Sequence, residues 1–484
     1  MAVDDAAMGR LLESPELAFY RTSLEELLRS KPHTLSETEE RLLGNLSEIL
    51  AAPDDIYETL TDADMRFGTV RNETGRKVEL THGNYLGLLE SPERKVRRKA
   101  FRTMFSGYAG IVNTCAATLD GTVRRHVKSA RLRHYDSALH AALFDDELPE
   151  SLYANLIAAV HEHIPALTAY LKLRKRVLKL DRLDMYDLFN PLLPAPRRRF
   201  SFDEARELVL KALAVMGGEY VATVKRAFDE RWIDVMECRG KRSGAYSSGC
   251  YDSAPYLLLN YQGTLNDVFT LAHELGHSMH SYCSNHHQQY HYANYSIFVA
   301  EVASITNELL LHDYLMKHCD DHKLEAALLA HLANEIRATI FRQTMFAEFE
   351  LEIHRAVEAD RTLTAAVLNE TYRKLNDVYY GGAIKADKLI QYEWARIPHF
   401  YYNFYVFKYA TGMSAALKFS RGILSGDAAA IERYFGFLKA GDSKPVLEIM
   451  RDAGVDLADK QVVSDALSDF AAVVGKLEKA LKKA

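Results

Sequence analysis

His273-Glu274-Leu275-Gly276-His277 sets two imidazoles four residues apart, with a carboxylate beside the first. On an α-helix, positions four apart differ by only about 40°, so both rings leave the same face. Two neutral imidazole nitrogens so placed can grip one Zn²⁺. Glu274, one residue along, stands beside the metal rather than on it, where it can accept a proton from an attacking water. The chain has 19 histidines among 484 residues, so the pattern also has a plainer reading as two satisfied core histidines. Its surroundings favour the metal. Gly and Ser residues over 239–254 read as a loop, and Pro255–Tyr261 as a short strand. Thr264-Leu265-Asn266-Asp267 is a capping pattern for a helix expected to run to about Tyr282.

A catalytic zinc takes three protein ligands and keeps one position open. Glu301, 24 residues beyond His277, is the next strong candidate. It sits in the helical segment 297–311 among apolar neighbours, and an acid on a buried face needs a partner. Glu308, seven residues on, shares that face. It reads either as an acceptor for a ligand imidazole N–H or as half of a structural ion pair. His280 lies on the same face as His273. A rival site on His287 and His291 lacks an acid beside either to act as the base, and loop histidines there read more simply as solvated.

These residues need a scaffold, and the composition indicates a helical one. Pro (12) and Gly (25) are scarce, as helix interiors demand. Apolar residues recur at helical spacing at Leu43, Leu46, Ile49 and Leu50, at Leu152, Leu156, Val160 and Ile164, and at Val209, Ala212, Leu213 and Met216. Each set is expected to be a buried helix face. The densest run of breakers, Phe189–Pro196, precedes a capping box at Ser201–Glu204. It divides the chain into an N-terminal helical lobe over 1–196 and a catalytic lobe over 197–484.

The net charge of -6 argues against a nucleic-acid partner, and Arg197-Arg198-Arg199 reads as a solvated loop. No run of about 18 apolar residues exists, so no membrane span is expected. Met1-Ala2-Val3-Asp4-Asp5 does not read as a secretory signal. Five scattered cysteines without a CxxC pair indicate a reducing, cytoplasmic setting. Cys250, in the Gly/Ser loop, reads as structural.

HELGHSMHSY, then FVAEVASITNELLL, then EWARIPHFYYNFYVFKYATG resemble the oligoendopeptidase F branch of the thimet oligopeptidase-like zinc metallopeptidases. GAYSSGCYDSAPYLLLNY resembles the same branch, and the likeness runs from about residue 20 to the C-terminus. The resemblance implies a mainly α, two-lobed helical metallopeptidase with a deep central channel and a small β-sheet beside the zinc helix. It implies one Zn²⁺ on His273, His277 and Glu301, with Glu274 as the catalytic acid/base. It also implies a His and tyrosines gripping the tetrahedral intermediate. His399 and Tyr405 match best, with Tyr402 and Tyr409 as alternatives and aromatic core packing as the plain reading.

The expected function is a zinc endopeptidase for short unstructured peptides. A catalytically weak peptide-binding protein and an exopeptidase of the same fold are the other readings. Family members usually carry a further helical segment before the point where this sequence begins. The strand at Tyr256–Tyr261 is expected to pair with an extended substrate. The oligomeric state is left open.

Overall fold

The computed structural model describes residues 4–193 and 198–484. The lobe boundary expected near 197, Arg197, and the first three residues lie outside them. The chain is mostly helical, as its scarcity of breakers predicts, with two small sheets among the described residues. Helix α1 (Glu37–Glu58) is followed by the hairpin β1 (Thr69–Arg71) and β2 (Lys77–Glu79), then by α2 (Arg94–Leu132) and α3 (Glu150–Val177). The second half carries β3 (Ile233–Asp234), β4 (Tyr246–Ser248) and β5 (Tyr256–Leu258), then α4 (Leu265–His287) and α5 (Ala300–Lys317). Next come α6 (His322–Ile336), a wider π-helical turn (Arg337–Arg342), α7 (Gln343–Glu358) and α8 (Phe407–Leu424). Helix α4 packs along α5, and α5 along α8, so three helices bracket one space.

The start of α4 is built as the sequence predicts. The Asp267 N–H donates to Thr264 Oγ1 (3.2 Å), and the Thr264 N–H donates to Asp267 Oδ2 (2.7 Å). The helix continues past Tyr282 to His287. No breaker intervenes, and the rings of His286 and His287 bond to the carbonyls of Tyr282 and Cys283 at 2.8 Å, securing the last turn.

Two expectations need correction. The strand expected over Pro255–Tyr261 is regular only at Tyr256–Leu258, although Leu259 and Tyr261 still donate to Asp234 and Val235. More important, β5 is the middle strand. It pairs in parallel with β3 and antiparallel with β4, with Ser247 opposite Leu257. Both of its edges are taken, so no peptide can add to it. The edge strand beside the zinc-motif helix is β4, whose Ser247 N–H faces Glu274.

The other correction concerns α1. Leu46 and Leu50 are 38% exposed and Ile49 is 69% exposed. The helix docks on α2 through its last turns instead. Pro53 packs on Gly121, Asp54 accepts from Thr122 and Arg125, and Tyr57 is buried. The faces expected at Leu152, Leu156 and Val160, and at Val209, Ala212, Leu213 and Met216, are buried, but Ile164, the last of the first set, is only half-buried.

The core encloses titratable groups that fix an acid sensitivity. Burial pushes His280 down to about 3 and both His312 and His354 down to about 4. Burial pushes Glu350 up to about 8. Between about pH 4.5 and 6, the unfolded chain binds a proton on each histidine and the folded chain does not. Glu350 acts in the opposite sense, because only the folded chain keeps its proton. The net is two protons more in the unfolded state, so stability falls as pH drops, by about 3 kcal/mol per pH unit from these four groups. Urea midpoints measured from pH 7 to pH 4.5 should decline steeply; a flat profile would contradict this.

Candidate metal centre and active site

The α4–α5 pair brings His273, His277 and Glu301 together. The two Nε2 atoms face each other at 3.2 Å, and Glu301 Oε2 lies 3.4 Å from that of His273 and 3.6 Å from that of His277. Zinc bonds of about 2.1 Å at tetrahedral angles place ligand atoms about 3.4 Å apart. The three separations therefore match the edges of one face of a zinc tetrahedron. Among the described residues, this is the one group of three such side chains that could close on an ion.

The second nitrogen of each ring is also engaged. His273 Nδ1 donates to Glu308 Oε1 at 2.6 Å, and His277 faces the Ala300 backbone oxygen. Such partners fix the ring orientations, so that both Nε2 atoms face the common centre and could bind there once a cation displaces the His273 proton. Burial works against charge on His273, but Glu301 and Glu308 outweigh it and push its pKa up to about 10. Burial and the neighbouring His273 push His277 down to about 4. The donor set thus concentrates negative potential where a cation would sit.

Glu274 is 5% exposed and its Oε2 has no hydrogen-bond partner. Burial raises its pKa, with His273 opposing and Glu301 and Glu308 reinforcing; the Ser247 backbone N–H of β4 lowers it. A carboxylate made more basic, with one free oxygen beside a cation site, is suited to proton transfer.

Gly276 sets how closely the helices approach. A Cβ there would lie 2.5 Å from Ser304 Cα and 2.6 Å from the Ala303 oxygen. Both are backbone atoms that cannot swing aside. Gly276→Ala should therefore push α5 away from α4, cost roughly 1–3 kcal/mol of stability and weaken metal retention. Thermal unfolding and metal analysis of the variant check this. A glycine inside a helical pattern was the available signal.

The third motif folds against this centre. Tyr409 lines a cavity of about 170 Å³ together with His273, Glu301 and Glu308. Its ring lies 5.4 Å from that of Tyr405, and burial together with the neighbouring Tyr405 hydroxyl raises its pKa. The His399 ring lies 5.6 Å from Tyr402, 6.0 Å from Tyr405 and 6.1 Å from Tyr409. Tyr402 is 50% exposed. Between Tyr402 and Tyr405 the backbone turns through two left-handed residues, Asn403 (φ 47°) and Phe404 (φ 58°). Non-glycine residues rarely adopt this conformation. The buried Glu350 accepts the Phe404 N–H at 2.6 Å and holds the turn, a contact the sequence did not reveal.

The remaining histidines go elsewhere. His280 is buried and stacked on Tyr295 at 3.7 Å. His287 bonds to the Cys283 carbonyl, and His291 to Ser23 Oγ at 2.7 Å. No rival metal cluster forms from them among the described residues.

Comparisons with known proteins show what the chain as a whole is similar to. The sequence model of Peptidase family M3 matches residues 87–469, and that of Oligopeptidase F matches residues 1–67. The chain is 43% identical over 480 residues to oligopeptidase PepF of Bacillus subtilis, covering 99% of this chain and 72% of that one. It is 45% identical over 473 residues to group B oligopeptidase PepB of Streptococcus agalactiae, covering 98% and 78%. Among solved structures, oligoendopeptidase-F from Enterococcus faecium superposes with a TM-score of 0.83 at 37% identity, covering 100% of this chain and 82% of that one. A peptidase from Chlamydophila abortus superposes with a TM-score of 0.93 at 38% identity, covering 99% and 80%.

Proposed function

The chain belongs to peptidase family M3, as an oligopeptide-cleaving metalloendopeptidase of the oligoendopeptidase F type, and from that premise we propose that its metal is one zinc ion held by His273, His277 and Glu301. The observation that carries this reading is the set of 3.2, 3.4 and 3.6 Å separations beside an unpartnered Glu274 oxygen. Three N/O donors with room for a fourth ligand is the pattern of catalytic rather than structural zinc. When bound, the ion supplies Lewis acidity at the scissile carbonyl.

The chain's own groups do the rest. Glu274 takes the proton of the attacking water and delivers it to the leaving amine. His399 and the Tyr405–Tyr409 hydroxyl pair donate to the oxyanion. Glu308 holds the His273 ring in place. An extended peptide lies along the outer edge of β4, where alternate backbone groups point away from β5. A metal recessed between helices selects short unstructured peptides over folded proteins. The five free cysteines support a cytoplasmic setting. No helix among the described residues is long and apolar enough to cross a membrane.

The test is metal analysis of the purified chain followed by digestion of a peptide blocked at both ends. One zinc per chain and internal cleavage are expected. A different stoichiometric metal, or products trimmed only from a free end of an unblocked peptide, would overturn the reading.

Tyr405→Phe removes one hydroxyl and leaves the ring. An oxyanion forms only in the transition state, so kcat should fall on the order of 10²-fold with KM little changed. Tyr409→Phe should act similarly, because the two hydroxyls are neighbours and groups that act as a unit are not additive. Unchanged kcat in Tyr405→Phe alone would assign the donor to Tyr409.

A further inference from the structure

The π-helical turn Arg337–Arg342 lies between α6 and α7. Such turns are rare and concentrate at functional positions. Here the turn brings two arginines, Arg337 and Arg342, to one small cavity, with Arg396 on its wall. The guanidinium carbons of Arg337 and Arg342 each lie 5.6 Å from the centre of the Phe189 ring. That of Arg396 lies 5.3 Å from the centre of the Tyr85 ring, which lines the same cavity.

The charges there do not balance. Glu393 is the one carboxylate among the described residues on its wall. It is claimed by Arg342 at 2.7 Å and by the Tyr372 hydroxyl at 2.6 Å. Arg337 is fully buried, and its Nε and Nη2 reach only the neutral side-chain oxygen of Asn334, at 3.2 and 2.9 Å. Its Nη1 is buried without a partner; the Tyr380 hydroxyl lies beside the guanidinium but not in bonding geometry with Nη1. Arg396 is half-buried, and its Nε is likewise buried and unpartnered. Three guanidiniums against one carboxylate leave two positive charges uncompensated. A buried unpaired charge is costly, and a water would satisfy the N–H groups without supplying the missing negative charge.

We propose that this cavity binds one small monatomic anion, chloride, between Arg337, Arg342 and Arg396. The cavity is about 10 Å³, on the scale of a single small occupant, which favours a monatomic anion over sulfate or a carboxylate. The anion would join the π turn to the segment Lys388–Arg396, which leads three residues later to His399. It therefore bears on the position of the aromatic cluster without touching substrate.

The test uses the whole zinc-loaded chain. Crystals grown in sodium bromide should show an anomalous peak among the three guanidiniums. An ordered water there, with no bromide, would overturn the proposal. In solution, the unfolding temperature in 200 mM sodium chloride should exceed that in equimolar sodium gluconate by about 1–3 °C, the scale of one weakly bound ligand in a chain this long. Arg337→Gln should abolish that difference. If Arg337→Gln does not fold, Arg396→Gln, whose side chain is half-buried, should abolish it as well. Equal unfolding temperatures in the two salts, or a chloride effect that survives both substitutions, would overturn it.

Discussion

Glu274→Gln should lower kcat by at least about 10²-fold while the chain keeps its metal. The substitution preserves size and can still accept the Ser247 N–H that faces this side chain. It cannot take up a proton. General-base catalysis contributes roughly 10²–10⁴-fold, and here no second group can stand in. Glu301 and Glu308, the nearest other carboxylates, are engaged with His273. Substrate binding should change little, so KM should stay near its starting value. The measurement is steady-state cleavage of a quenched peptide, with metal content determined on the same preparation. Turnover within a few-fold of the parent, with metal at one per chain, would remove Glu274 from the role of base.

Glu301→Ala should strip the metal and abolish cleavage. The carboxylate supplies one of three donors and most of the negative charge in the set, and its loss leaves two imidazoles 3.2 Å apart with nothing to balance a dication. Losing a partner that only orients a ligand costs 10–100-fold in metal affinity, so losing a ligand should cost at least about 10²-fold. Glu308→Gln, which weakens the hydrogen bond to His273, should fall in the smaller range. Helix content should survive in both variants, because the α4–α5 contact rests on buried apolar residues such as Leu271, Leu275, Val302 and Ala303. Metal analysis after gel filtration, with circular dichroism as control, decides. Retention of zinc and activity by the Glu301→Ala variant would mean that another residue completes the site.

The helical class and the metal helix were legible because both rest on local spacing. His273 and His277 share a face by arithmetic alone, and Thr264 and Asp267 cap the helix by contacts three residues apart. Glu301 stood out as an acid among apolar neighbours. What could not be read depends on contacts distant in sequence. Two- and three-residue strands have no periodicity of their own, so β5 could not be seen to lie between β3 and β4. The spacing of Leu46, Ile49 and Leu50 marks an apolar stripe but not what covers it, and α1 meets α2 through Pro53, Asp54 and Tyr57 instead. The relative placement of Tyr402, Tyr405 and Tyr409 could not be read either, because two left-handed residues turn the chain between the first two. Only the fold shows that Glu350, more than 50 residues upstream, accepts the N–H at that interruption.

Gly276 carries one more consequence. Because α4 and α5 meet backbone to backbone there, an ion bridging His277 and Glu301 is a removable cross-link between neighbouring helices. It closes the intervening stretch into a loop, and closing a loop disfavours states in which its ends separate. That stretch includes Tyr290 and Ile297, 76% and 53% exposed. Loading should therefore be readable without any substrate, as slower proteolytic nicking between α4 and α5 when zinc is present than after chelation.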